Sequence, residues 1–299
     1  MNTVKIIHQT WKTNEIPKEL LFCVDSWKRN NSDWKYKLWT DEEMDIFVKN
    51  EFPKLYEIYK SYKTDIFRAD LFRLLVIYSK GGAYVDLDME CIKSLDYLIE
   101  NYIKDASLAL SFEMPAQSIG VYNIKPLYAA NFIYALPKNE TLKQLIDLIV
   151  SNDTQNTDVI KTTGPIAITN ALNSLLPNKG ITILDWKIVN PILDVTNNTM
   201  MPYYKLKSLK MLLDREYYKE TCMVHYWHGT YWKDNPPILL LEKSKLENEF
   251  KYLSNPFNYA YEVCIYIKRI AFLRNVYRLS AFLKAKFNWY KKFIEFIKK

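Results

Sequence analysis

The stretch ADLFRLLVIYSKGGAYVDLDME, Ala69 to Glu90, decides how the chain is read. Extended back to Thr64, its first half carries Ile66, Phe67, Leu71, Phe72, Leu74, Leu75, Val76, Ile77 and Tyr78 around nearly the whole helical wheel. The spacing predicts a buried helix running from a Thr64 cap to about Ser79. Gly81 and Gly82, two of only six glycines in 299 residues, supply a left-handed terminator. AYVDLDME then reads as a strand, and side chains alternate across a strand. Tyr84, Asp86 and Asp88 are therefore expected on one face, with Ala83, Val85 and Leu87 on the other.

Two carboxylates on one face repel, and more strongly when buried, so a cation is expected between them. With oxygen ligands and no cysteine beside them, that cation is a hard one, Mn²⁺ or Mg²⁺. The plainer reading is a pair of aspartates solvated at a strand end. Asp70 and Arg73, three apart on the apolar helix, read either as a self-satisfied buried ion pair or as a ligand-binding pair. In the second case Arg73 offers its fork to a phosphate or sugar, and Asp70 accepts from sugar hydroxyls. Asp65 and Arg68, nearer the helix start, read as structural.

Outward from this stretch, Val4–Ile7 reads as a short strand. WKYKLWTDEEM reads as a strand followed by a helix, with Thr40 and Glu43 forming a capping box. ASLALSFE and ANFIYAL read as strands, NETLKQLIDLIV as an amphipathic helix, and TTGPIAITNALNSLL as a loop whose Pro165 opens another helix. Strands alternating with helices imply an α/β domain.

A chain that is 49% hydrophobic and 15% aromatic is a folded one. Cys23, Cys91, Cys222 and Cys264 form no C-x-x-C pair, which argues against a zinc site or a disulfide framework and fits a reducing compartment. The first residues lack the basic start and apolar run of a signal peptide. No stretch reaches the roughly 18 apolar residues of a spanning helix. The expected location is cytoplasmic.

The net charge of +7 is uneven, with ten Lys or Arg and only two Glu after residue 260, so the rest of the chain is nearly neutral. Asn235, Pro236 and Pro237 mark a break. Residues 1–240 are read as the catalytic domain and 241–299 as a basic, amphipathic helical extension. That extension has the composition of an interfacial helix on an anionic membrane, which would make the protein peripheral on the inner membrane face. The alternative is a helical lid with a solvated basic face.

The third cluster is HYWHGTYWKD, which holds His225 and His228, two of the three histidines. Imidazole completes Mn²⁺ coordination well, although histidines and aromatics packing a domain edge is the bland alternative. His8, alone at a strand end, reads as structural on its own.

Taken together, IIHQTW, YKLWTD, ADLFRLLVIYSKGGAYVDLDME, TGP and HYWHGTYW resemble the sugar-transferring enzymes that carry a DXD motif. These include fungal initiating α-1,6-mannosyltransferases and bacterial capsule and lipopolysaccharide glycosyltransferases. More distantly, the helix and DXD segment is similar to the catalytic domains of glucosylating toxins. The resemblance spans roughly residues 4–232 and implies a GT-A fold, a Rossmann-like sheet with a nucleotide-sugar over its strand ends.

By that resemblance Asp88 would bind the metal and Asp86 the ribose or the metal, with His225 near metal and diphosphate. Asp70 and Arg73 would hold the donor sugar, Arg73 also approaching the phosphates, and Trp11 would pack on the base. His8, Gln9, Tyr84, Gly164, Thr230 and Trp232 complete the implied donor site. The family reads Ser-Trp after the last glycine of HYWHG, where this chain has Thr230, Tyr231 and Trp232, so either aromatic is a candidate for the leaving phosphate.

The activity implied is metal-dependent hexosyl transfer, with retention, in surface polysaccharide synthesis. The donor is a UDP-sugar, or GDP-mannose as second choice, and the acceptor a saccharide or lipid-linked saccharide. The competing readings are a metal-dependent phosphoryl-transfer enzyme or nuclease, which lacks a phosphate-cradling glycine loop here, and a non-enzymatic basic binding module. Nucleic acid is not an expected partner, because the body is neutral and no recognised motif is present.

Overall fold

The computed structural model describes residues 3–151, 158–177, 180–194 and 202–228. The 241–299 extension, the 235–237 break, and Thr230, Tyr231 and Trp232 lie outside the described residues. In chain order the elements begin with β1 (Ile6–Thr10), α1 (Leu21–Asn30), β2 (Lys35–Trp39), α2 (Asp41–Glu51), α3 (Pro53–Ser61) and α4 (Asp65–Lys80). Next come β3 (Gly82–Val85), β4 (Met89–Cys91), α5 (Leu95–Leu98), β5 (Leu108–Phe112), α6 (Pro115–Tyr122), β6 (Tyr128–Ala135) and α7 (Glu140–Ser151). The order closes with α8 (Val159–Thr162), α9 (Pro165–Leu175), β7 (Ile181–Leu184), α10 (Trp186–Val189), α11 (Pro202–Asp214) and β8 (Met223–His225).

Six strands form one sheet in the order β2–β1–β3–β6–β5–β7, and β4 pairs with β8 in a second, two-stranded sheet. β1 is parallel to β2 and β3, and β5 is parallel to β7. β6 runs against both β3 and β5. Five strands therefore send their carboxyl ends to one edge, the mixed α/β architecture expected from the alternating pattern.

Alternation along the strands divides the core. Tyr84 and Ile133 pack with α2, α3, α4, α7 and α9 on one face. Val85 and Phe132 pack with Trp27 of α1 and with Leu98 and Ile188 on the other. α4 is the buried helix that its composition requires: Leu71, Phe72, Leu74, Leu75, Val76 and Ile77 are all at 0% exposure. Their burial contributes on the order of 10 kcal/mol of apolar transfer, before chain entropy opposes it.

The Thr40 capping box forms in full, with the hydroxyl accepting from Glu43 N and the Glu43 carboxylate accepting from Thr40 N. Thr64 does occupy the N-cap of α4, but its side chain makes no capping bond. Gly81 ends the helix at φ 69° with ψ −173°, positive in φ but extended in ψ rather than left-handed helical. The chain thus passes straight from helix into strand. A Cβ on Gly82, at φ 93°, would stand 2.3 Å from the Ile6 carbonyl oxygen. The glycine pair is required by the close approach of α4's exit to Ile6 of β1 at Gly82 and to Pro137, just past β6, at Gly81.

AYVDLDME is not one strand. β3 stops at Val85, and Met89 N donates back to Asp86 O at 3.2 Å, closing a turn. Asp86 and Asp88 therefore sit in a tight turn between β3 and β4, where aspartate is favoured, and strand alternation is not what aligns them. Among the described residues no helix is long and apolar enough to cross a membrane.

Candidate metal and donor site

The β3–β4 turn is held from three sides. Asp86 N donates to Asn131 O of β6 at 2.9 Å, and Gln9 Nε2 of β1 donates to Asp86 O at 3.1 Å. On the far side Tyr226 N donates to Asp88 O at 3.1 Å. The β4–β8 ladder places Met89 opposite His225, which carries the C-terminal histidine cluster to the turn. One ligand atom each from Asp86, Asp88 and His225 lies within 4.8 Å of the others.

Each carboxylate has its own neighbours. Asp86 Oδ1 accepts from Tyr84 OH at 3.0 Å and lies 3.5 Å from Arg73 Nη1. Burial, opposed by Arg73 and reinforced by Asp88, raises the Asp86 pKa. Asp88 Oδ1 lies 3.4 Å from His225 Nε2, and its Oδ2 accepts from His228 N at 2.7 Å. Burial would raise the Asp88 pKa, but the His225 charge and these donors outweigh it, so Asp88 stays ionised below its usual range. His225 is pushed up to about 9: burial opposes its charge, and Asp88 chiefly overcomes that. Its Nδ1 lies 2.9 Å from Asn131 Nδ2, the kind of outer contact that orients an imidazole ligand.

Arg73 and Asp70 come together as the helix spacing predicts, 2.7 Å apart and both buried. Arg73 also donates to Ala130 O at 2.7 Å and lies over the Tyr84 ring at 4.9 Å. Asp70 accepts from Thr163 Oγ1 at 3.2 Å, and burial, only partly offset by Arg73, raises its pKa to about 6. Asp65 and Arg68 are paired, with Arg68 bonded to Tyr62 O at 2.8 Å, and Asp65 also lines the cleft that Asp70 and Arg73 face.

Asp70, Arg73, Tyr84, Asp86, Asp88 and His225 face one cleft of about 490 Å³ over the carboxyl ends of the strands, the usual ligand position in an open α/β sheet. Trp11 lines it just past β1, and Tyr84 lines it from β3. His8 and Gln9 do not. His8 is fully buried, with Nδ1 accepting from Trp39 Nε1 at 3.0 Å and Nε2 facing Gly81 O at 3.1 Å, so both nitrogens are engaged away from the cleft. Gln9 bridges Tyr36 OH and the Asp86 carbonyl, a support for the turn rather than a ligand contact. Gly164 is the N-cap of α9. A Cβ there would come 3.4 Å from Asp70 Oδ2, so it packs behind Asp70. His228 lines the cleft and serves Asp88 through its backbone.

Glu113 and Asn131 also line the cleft, although neither stands in one of the sequence motifs. Glu113 is buried and pushed up to about 7 by that burial. The available signal was its place directly after an apolar strand, matching Asp86 after β3.

The donor set fits a hard divalent cation: two carboxylates and one imidazole converge in a buried turn. The charge balance points the same way. Among the described residues, Asp41, Asp65, Asp70, Asp86, Asp88, Glu113 and Asp194 line the cleft, against Lys12 and Arg73 as permanent cations and His225, whose pKa is pushed up to about 9. An anionic phosphate enters such a cleft only with a cation to neutralise the carboxylates.

Fold and site together describe an α/β protein with an acidic, cation-ready cleft over its strand ends. Residues 17–104 match the family model described as a glycosyltransferase sugar-binding region containing a DXD motif. Inositol phosphoceramide mannosyltransferase 3 of Schizosaccharomyces pombe is 45% identical over 95 residues, covering 32% of this chain and 27% of that protein. The initiation-specific alpha-1,6-mannosyltransferase of Candida albicans is 31% identical over 104 residues, covering 32% of this chain and 27% of that protein. The match thus spans about a quarter of the length of these relatives. A solved structure, PaToxG glycosyltransferase, aligns with a TM-score of 0.44 at 18% identity, covering 58% of this chain and 70% of that one. The sequence matches bear out the resemblance to DXD-motif sugar transferases.

Proposed function

We propose that this chain is a metal-dependent glycosyltransferase that moves a hexose from a nucleotide-sugar to a hydroxyl of a saccharide or lipid-linked acceptor. The observation that carries the reading is the convergence of Asp86, Asp88 and His225 beside the Asp70–Arg73 pair in one acidic cleft. The similarity to fungal mannosyltransferases favours mannose, and so GDP-mannose over a UDP-hexose, as the donor.

In this reading Trp11 offers a face to the base, Arg73 presents its guanidinium toward the diphosphate, and Asp70 accepts from donor-sugar hydroxyls. Arg73 is fixed by Asp70, Ala130 O and the Tyr84 ring, so it reorganises little as charge develops. Asp86, Asp88 and His225 would hold Mn²⁺ or Mg²⁺, which when bound supplies positive charge to the departing diphosphate. The bond between the anomeric carbon and the phosphate oxygen breaks, and one from that carbon to the acceptor oxygen forms. The acceptor proton ends on the leaving phosphate. Retention, implied by the family resemblance, fits same-face attack guided by that phosphate.

The test is release of nucleoside diphosphate from GDP-mannose, UDP-glucose or UDP-galactose by the purified chain with Mn²⁺, with and without EDTA. Metal-dependent release from at least one donor is expected. No release from any, or release indifferent to EDTA, would remove the reading. Cleavage of nucleic acid or phosphate esters under the same conditions would install the phosphoryl-transfer alternative.

A further inference from the structure

Glu113 follows β5 as directly as Asp86 follows β3, and both line the same cleft. Its N–H is fixed to Leu127 O at 2.9 Å, and the residue is 7% exposed. Its Oε2 has no hydrogen-bond partner. A buried carboxyl oxygen so placed has lost its water without replacement, a cost that persists unless a ligand donates to it. The elevated pKa, about 7, has the same origin in burial.

Strand order indicates which ligand. Trp11, Asp86 and Glu113 follow β1, β3 and β5, and the sheet runs β1–β3–β6–β5. At about 4.8 Å per strand, β5 lies roughly 10 Å beyond β3, on the side away from Trp11. With the base at Trp11, the diphosphate at the β3–β4 turn and the donor sugar at Asp70 and Arg73, the β5 side is left for the second substrate. Tyr122 of α6 lines the cleft too, as does Asp194, whose N–H is held by Gln117 of α6 at 3.0 Å. An aromatic ring beside acidic acceptors suits a ring that carries hydroxyls on its edge and C–H groups on its face.

We propose that Glu113 is the acceptor-recognition residue of this cleft, its unpartnered oxygen bonding a hydroxyl of a polyhydroxylated ring, either a sugar or a cyclitol. This rests on the glycosyl-transfer reading above.

The experiment uses the full chain and its Glu113→Ala and Glu113→Gln variants, with Mn²⁺ and the donor that the wild type hydrolyses. Methyl α-D-mannopyranoside and myo-inositol 1-phosphate serve as acceptor probes. Loss of one charge-assisted hydrogen bond raises the acceptor KM of Glu113→Ala roughly 10- to 100-fold. That rise exceeds any change in donor KM about tenfold, a split that general loosening of the fold would not give. Glu113→Gln, which keeps the side-chain volume and one carbonyl oxygen, falls between wild type and Glu113→Ala and stands in if the alanine variant fails to fold. Donor and acceptor KM rising together would move Glu113 to the donor, and no change in either would leave it structural. A wild type that hydrolyses donor but neither glycosylates nor is inhibited by either probe would also overturn the inference. Absence of donor hydrolysis in the wild type sinks the parent reading instead.

Discussion

His225 Nε2 lies 3.4 Å from Asp88 Oδ1, brought there because β8 pairs antiparallel with β4 and sets His225 opposite Met89. The first prediction follows from that pairing. Asp88→Asn removes one charge from the buried cluster, leaves His228 N an acceptor, and should cost about 10²-fold or more in sugar transfer while the protein stays folded. Titration calorimetry with Mn²⁺ should show weakened binding, and an unchanged near-ultraviolet dichroism spectrum would certify the fold. Wild-type turnover in this variant would refute the role given to Asp88.

Arg73→Lys keeps the charge but not the fork. The guanidinium reaches Asp70, Ala130 O and the neighbourhood of Asp86 together, and an ammonium on a shorter contact surface cannot. Donor kcat/KM should fall about 10- to 100-fold, with a modest drop in melting temperature because Ala130 O loses its donor while the charge beside Asp70 persists. A variant as active as wild type would reduce the pair to a structural one.

How much of this the sequence carried depends on the range of the interaction. The α4 period, the Thr40 capping box and the Asp70–Arg73 spacing are set by residues within one helical turn, and they were legible. The glycine pair was legible as a break, but its cause was not, since the clash at Gly82 is with Ile6 of another strand. Alternation put Asp86 and Asp88 on one strand face, yet they converge through a turn closed by Met89 N and Asp86 O. Glu113 is marked locally only by its place after an apolar strand; that it and Asn131 share a cleft with Asp86 follows from the order β3–β6–β5, which no local pattern encodes. His8 and Gln9 belong to the motif, but long-range pairing occupies them elsewhere, His8 between Trp39 and Gly81 O and Gln9 between Tyr36 and Asp86 O.

His8 gives a pH prediction. Its ring is buried and neutral, with the pKa lowered by that burial to about 4 from 6.5. Between those values the unfolded chain binds more protons than the folded one, so stability rises with pH across that window. Stability should be unaffected by His8 above about pH 6.5 and should decline by roughly 3 kcal/mol as pH falls to 4. Urea midpoints measured from pH 4 to 8 should show this slope in the wild type and a shallower one in His8→Gln. Equal slopes in both proteins would show that other groups control the acid limb.

Two glycines that flank the site should respond differently to alanine. At Gly82 the added methyl meets Ile6 O at 2.3 Å from a backbone at φ 93°, so both contact and conformation oppose it. Relief needs β1 to separate from β3, and because Gln9 of β1 holds the Asp86 carbonyl, the turn would shift with it. At Gly164 the added methyl meets backbone too, Ile160 Cα at 2.9 Å and Val159 O at 3.1 Å, so α8 must shift, but φ is −86° and adds no conformational strain. Gly82→Ala should therefore lose about 3 kcal/mol or more, and Gly164→Ala, which strains no φ, less, about 2 kcal/mol. Thermal melts in the absence of metal read both. If Gly82→Ala melted with the wild type, the tight passage from α4 into β3 could not be what positions Asp86.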